Sequence, residues 1–237
     1  LDARALSIAG NLAAVHAAIA AAAGGRSPSA IALIAVSKTH PAAAVREAYG
    51  QGQRDFGENR VQELVAKARE LADLPELRWH LIGSLQTNKV KYIVPFVTCI
   101  QSVDSEKLLK EIDKEARKNN RVIDVLLEIS IASDGSKFGF EPDDTFSFLS
   151  EGQYKMFQHV RFCGVMGMGS SSDNADITRA EYRLLKKVSD RLKTSVFNDC
   201  DTFCEISMGM SHDYGIAIEE GSTMVRVGTS IFGERNY

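Results

Sequence analysis

The chain has 237 residues, 44% hydrophobic and 25% charged, with 28 basic against 31 acidic side chains and a formal net charge of −3. A chain of this length can bury roughly 72% of its unfolded surface, which supports a large core and excludes a disordered or fibrous class. With no basic excess, nucleic-acid binding is not expected. No stretch reaches the ~18 apolar residues that a membrane span needs.

Ile8, Leu12, Val15 and Ile19 recur at spacings of 4, 3 and 4, which is one face of an amphipathic helix ended by Gly24-Gly25. The segment follows Asp2 rather than a basic region, so it reads as a helix and not as a signal peptide. The chain opens on Leu1, which leaves room for a few native residues or a targeting segment ahead of it. An apolar, β-branched run predicts a strand over 31–37, followed by a helix over 41–49 that Gly50 and Gly52 close. A short strand over 54–56 precedes a helix over 61–71. The next pair is a strand over 78–82 and a short helix over 87–94, stopped by Pro95.

A strand over 97–103 leads to Asp104 as N-cap of a helix over 107–118. A nearly continuous apolar strand over 122–129 precedes a helix over 142–149. The sixth strand covers 161–166. The helix behind it, 177–192, carries Tyr182, Leu185, Val188, Ser189 and Leu192 on one side. A seventh strand over 203–206, a helix over 212–219 and an eighth strand over 224–227 complete the pattern. Eight strands alternating with helices imply βαβ units and a parallel sheet, and eight units in this length fit one (β/α)8 TIM barrel domain over 1–237, with an extra N-terminal helix. Neither GxGxxG after a strand nor GxxxxGK[ST] occurs, which disfavours an open nucleotide-binding sheet.

Cys99, Cys163, Cys200 and Cys204 form no CxxC pair and have no spaced histidines to complete a zinc site. They read as thiols of a reducing compartment, and the expected location is the cytoplasm.

In such a barrel, chemistry sits where strands end. Lys38 follows the first strand directly. Partial desolvation there lowers a lysine pKa and frees an amine for Schiff-base chemistry, although a lysine at a strand end can also simply reach solvent. Asn59, after the second strand, either caps the next helix or aims its amide at a ligand. His80 is a hydrogen-bonded core histidine or an acid/base group, on the opposite face from Trp79. Arg226 lies mid-strand among apolar residues and needs an acceptor. A Glu205–Arg226 ion pair is one solution. Ser207, the Gly228 and Thr229 amides and the Thr229 hydroxyl are neutral donors at the last two strand ends, where barrels commonly bind phosphate, and Gly228 lets backbone approach an anion. The glycine-rich stretch 164–169 reads as floor or wall of the same mouth. An amine, an arginine and a phosphate cradle match the needs of pyridoxal 5′-phosphate.

The segments AVSKTHP, DFGENRVQEL, RWHLIGSLQTNK, SKFGF, GVMGMG, EISMGMSHDY and GSTMVRVGTSIFGERNY resemble the YggS/PROSC family of pyridoxal phosphate homeostasis proteins, in order, from Ile31 to Tyr237. The resemblance implies the barrel of the alanine racemase N-terminal domain and a cofactor held as a Schiff base on Lys38. It implies Arg226 at the pyridine nitrogen, Ser207, Gly228 and Thr229 on the phosphate, Asn59 at the cofactor's edge and His80 as a neighbour. Ser84 stands where the family usually has histidine, and a glycine stands in GVMGMGSSS where threonine is common. Both departures bear on whether a second small ligand binds at the mouth. Alanine racemases continue into a β domain that supplies a second base, and with the sequence read to Tyr237 such a domain is not expected here. The expected function is intracellular carriage or buffering of pyridoxal phosphate by a monomer, with apo-enzymes as recipients and no metal. The alternative is a racemase or another Schiff-base enzyme.

Overall fold

A computed structural model of the protein describes residues 7–136 and 138–234. Lys137 of SKFGF and the closing Arg235, Asn236 and Tyr237 lie outside the described residues. Helix α1 (Ile8–Ala22) precedes the first strand. Then β1 (Ala32–Val36), α2 (Ala42–Gly50), β2 (Asp55–Glu58), α3 (Val61–Glu70), β3 (Arg78–Leu81), α4 (Val90–Ile93), β4 (Cys99–Val103) and α5 (Glu106–Lys118) alternate. The second half adds β5 (Ile123–Glu128), α6 (Pro142–Leu149), β6 (Val160–Met166), α7 (Ala175–Ser195), β7 (Glu205–Ser207), α8 (Tyr214–Glu219), β8 (Met224–Val227) and α9 (Thr229–Phe232). The strands pair in parallel in chain order, and β8 returns to β1 to close the barrel.

Strand periodicity explains both layers of the core. Ile34, Cys99, Leu126, Met166 and Met224 point inward and fill the barrel. Their neighbours in sequence, such as Leu33, Ala35, Val125 and Val225, point outward into the larger cluster under the helices. On α7 the buried side includes Tyr182, Leu185, Val188, Ser189 and Leu192, the stripe expected from its spacing. Leu12, Val15 and Ile19 bury α1 against α8 and α9, and Asn11 Nδ2 donates to Ile231 O at 2.8 Å.

Element ends shift by a few residues from the sequence expectation, and three local differences are informative. The N-cap of α5 is Ser105, whose Oγ accepts from Leu108 N at 3.3 Å, and not Asp104. Strand β7 begins two residues later than its apolar run, because Phe203 N still donates to Cys200 O in the preceding turn at 3.2 Å and the ladder to β6 opens at Glu205. The one-turn helix α9 was not anticipated, since four residues are too few to show a period.

At the end where strands begin, Arg78 Nε and Nη2 donate to Asp55 at 2.7 and 2.6 Å, and His80 Nε2 donates to Asp55 Oδ1 at 3.0 Å. Burial alone would raise the Asp55 carboxyl, but the Arg78 and His80 hydrogen bonds outweigh it and bring the pKa from 3.8 down to about 2. A carboxylate depressed on folding stabilises above its unfolded pKa and loses that contribution as pH falls through the folded value. Asp55→Asn is therefore expected to remove about 2 kcal/mol at neutral pH and to flatten the acid limb of stability between about pH 4 and pH 2. Urea midpoints measured across that range check it; an unchanged acid limb would discard the assignment.

Candidate functional site

The opposite end of the barrel, where the strands finish, holds a cavity of about 240 Å³. Six strand ends meet there. Val36 and Lys38 come from β1, Asn59 from β2, Ile82 from β3, Met168 from β6, Met210 and Ser211 from β7, and Arg226, Gly228 and Thr229 from β8. Of the sequence-derived candidates, Lys38, Asn59, Arg226, Gly228 and Thr229 are brought together on its wall.

Lys38 is half-buried, at the point where β1 turns into the loop before α2. Asn59 Oδ1 is buried and has no hydrogen-bond partner. An unpaired buried acceptor is costly, so this atom on the cavity wall points to a ligand that donates to it. Arg226 is 4% exposed, and burial pulls its guanidinium below the ordinary arginine value while Tyr182, Glu128 and Asp213 oppose the fall. Its Nη1 donates to Ser207 Oγ at 2.6 Å and its Nη2 to Gly167 O at 3.1 Å. The glycine-rich stretch thus contributes twice, with Met168 on the wall and Gly167 O orienting the arginine.

Ser207 corrects the expectation that it holds an anion at the mouth. It is fully buried inside the barrel, where its Oγ accepts from Arg226 and donates to Gln101 Oε1 at 2.7 Å. Gln101 Nε2 donates to His80 Nδ1 at 3.1 Å, and His80 in turn donates to Asp55. One hydrogen-bonded chain therefore runs down the barrel axis from Arg226 to Asp55. His80 belongs to that chain and not to the mouth, as a core histidine. No Glu205–Arg226 pair forms; Glu205 Oε2 accepts from Thr223 Oγ1 at 2.5 Å.

The serine at the mouth is Ser211, which the sequence reading passed over. Its Oγ accepts from Gly228 N at 3.1 Å, leaving its own proton for a ligand. Asp213 holds the loop that carries it: Met210 N donates to Asp213 Oδ1 at 2.6 Å, and Tyr182 Oη to Oδ2 at 2.8 Å. Gly228 also sits tightly against β1, since a Cβ there would meet Val36 O at 3.0 Å. Glu181 ties two more mouth loops together, accepting from Ser133 and Ser170 through both backbone and hydroxyl at 2.7–2.9 Å. Glu128, buried at the end of β5, was also missed. Burial, with Asp104 adding, pushes its carboxyl up to about 7 against the pull of Arg226.

The site thus offers one amine, one buried guanidinium, one orphaned acceptor and a set of neutral donors suited to an anion. The family model described as alanine racemase, N-terminal domain, matches residues 11–236. A pyridoxal phosphate homeostasis protein from Aquifex aeolicus is 42% identical over 90% of this chain and 91% of its own length. Another from Pseudomonas aeruginosa is 40% identical over 98% and 97%. Among solved structures, PipY of Synechococcus elongatus with PLP bound aligns at a TM-score of 0.84 and 38% identity, covering 96% of this chain and all of that one.

Proposed function

Because the chain belongs to the pyridoxal phosphate homeostasis protein family, on the barrel of the alanine racemase N-terminal domain, we propose that it binds pyridoxal 5′-phosphate in the barrel mouth and carries or buffers it without substantial turnover. The observation that carries this reading is the convergence of Lys38, Arg226, the Ser211 and Thr229 donors and the orphaned Asn59 Oδ1 on one cavity. The donor set suits a phosphorylated aromatic aldehyde. Lys38 would bond the aldehyde carbon, and Ser211 and Thr229 would hold the phosphate, with the Gly228 N–H orienting the Ser211 hydroxyl rather than donating to the anion as expected from the sequence. Arg226 would meet the ring nitrogen, and Asn59 would accept from the ring hydroxyl. When bound, the cofactor supplies an aldehyde that condenses with primary amines.

The residues favour holding over turnover. Arg226 is a cation that disfavours a proton on the nitrogen it faces, which weakens the electron withdrawal that racemisation needs. His80, one of the bases an enzyme reading would use, lies inside the barrel on the Asp55 chain. Apo-enzymes that need the cofactor are the proposed recipients, and a cytoplasmic monomer is the proposed form. The free thiols at Cys99, Cys163, Cys200 and Cys204 suit a reducing compartment.

The test compares two ligands on folded protein. Hydrogen bonds to a charged acceptor contribute about 1.5–3 kcal/mol each. Ser211→Ala with Thr229→Val should weaken pyridoxal phosphate by about tenfold or more, and unphosphorylated pyridoxal far less. Ser207→Ala should instead lower stability without changing the preference between the two ligands. Visible-absorbance titrations read both affinities. Equal losses for both ligands would remove the cradle, and no binding by the parent would end the proposal. Alanine and serine should not be racemised; turnover that disappears in Lys38→Ala would favour the enzyme reading.

A further inference from the structure

The turn that carries Lys38 is held from behind by a buried charged cluster. Lys67, on α3, donates to Ser37 O at 2.6 Å, Glu58 Oε1 at 2.6 Å and Glu63 Oε1 at 2.7 Å. Ser37 Oγ donates to the same Glu58 oxygen at 2.6 Å. Thr39 N donates to Glu63 Oε1 at 2.6 Å. Both chain neighbours of Lys38 are thus tied to one ammonium and two carboxylates.

Two features make this more than a helix attachment. Thr39 has φ of 67°, a left-handed backbone that a β-branched residue keeps only where its surroundings hold it. The cluster is also costly. Burial raises the Glu58 carboxyl above its ordinary value against the pull of Lys67, and Glu58 Oε2 has no partner. Leu64 already packs α3 on the barrel by apolar contact, so holding the helix does not require buried charges. The three ammonium protons of Lys67 meet three acceptors, so it serves the turn and leaves the cavity to Lys38.

We propose that Lys67, Glu58 and Glu63 are positioning residues that clamp the turn at residues 37–39 and so direct the Lys38 amine into the cavity. The proposal rests on Lys38 being the residue that bonds pyridoxal phosphate. Glu63 is the residue to change, because its side chain is 25% exposed and can be replaced without hollowing the core. Glu63→Ala removes the acceptor for Thr39 N, whereas Glu63→Gln keeps it.

Affinity for pyridoxal phosphate should fall about tenfold in Glu63→Ala and stay within about threefold of the parent in Glu63→Gln. Thermal midpoints of both variants should stay close to the parent's. A purely structural role predicts the reverse, a lowered midpoint with unchanged affinity. Amide exchange in protein without the cofactor gives a second readout. Thr39 N–H should exchange at least about tenfold more slowly than an unprotected amide in the parent and lose that protection in Glu63→Ala. Unprotected Thr39 in the parent, or parental affinity in a folded Glu63→Ala, overturns the clamp. Failure of borohydride to fix the cofactor on Lys38 of the parent counts against the functional reading instead, and the exchange measurement still decides the clamp.

Discussion

Lys38→Ala is expected to abolish the covalent fixation of pyridoxal phosphate by borohydride and to weaken its binding by about a hundredfold or more. The parent should show visible absorbance that borohydride bleaches, with the added mass on the peptide containing Lys38. An amine bonds an aldehyde only as the free base, and Lys38 is half-buried on the cavity wall, where its amine can meet one. Nearby Lys67 is not a substitute, since its ammonium is committed to Ser37, Glu58 and Glu63. The residual binding in Lys38→Ala measures the phosphate donors and Arg226, which the substitution leaves in place. A cofactor mass found on another lysine would show that the amine had been misassigned.

Gly164→Ala is expected to destabilise the fold by about 4 kcal/mol, or to prevent soluble accumulation, although it lies away from the mouth. Gly164 pairs with Glu205 across β6 and β7, where a Cβ would stand 1.8 Å from Glu205 O and 2.6 Å from its carbonyl carbon. Both atoms are backbone, so no side chain can move aside, and the φ of 154° adds strain. The register of β5 on β6 shifts at the same point, between Val125 and Leu126, so the position also sets how the barrel closes. Gly215→Ala is the control, since a Cβ on α8 there meets nothing within 4 Å; it should be neutral or stabilising by about 0.5–1 kcal/mol. Urea unfolding of the two variants gives the comparison. A Gly164→Ala protein as stable as its parent would contradict the packing of β6 against β7.

The contrast between Ser207 and Ser211 marks how far the sequence could be read. Both serines follow an apolar strand, and the period of two puts Ser207 inward, as observed. Period gives the face of a strand but not the depth along the barrel axis. Depth depends on strand tilt and stagger, which belong to the closed sheet as a whole. Ser207, level with Met224, is therefore below the mouth, while Ser211 reaches it after the turn at Gly209, whose φ is 97°. His80 illustrates the same limit: alternation separates it from Trp79 without saying which of the two faces inward, and the structure turns it inward, level with Gly57 and Cys99, near the end where strands begin. The Lys67 cluster was invisible for another reason, because nothing in residues 37, 58, 63 and 67 announces that they converge before β2 and α3 are packed beside β1.

By itself the sequence determined the eight strand–helix units, the barrel they close into, and Lys38, Asn59, Arg226, Gly228 and Thr229 as residues that meet at its mouth. Those follow from local periodicity and from the rule that strand ends of a parallel barrel converge. Only the tertiary structure decided that Ser211 and not Ser207 joins them, that His80 and Gln101 link Arg226 to Asp55, and that a buried ammonium holds the lysine turn. Each of these depends on distances between residues far apart in the chain, and such distances are set by how the whole barrel closes and packs.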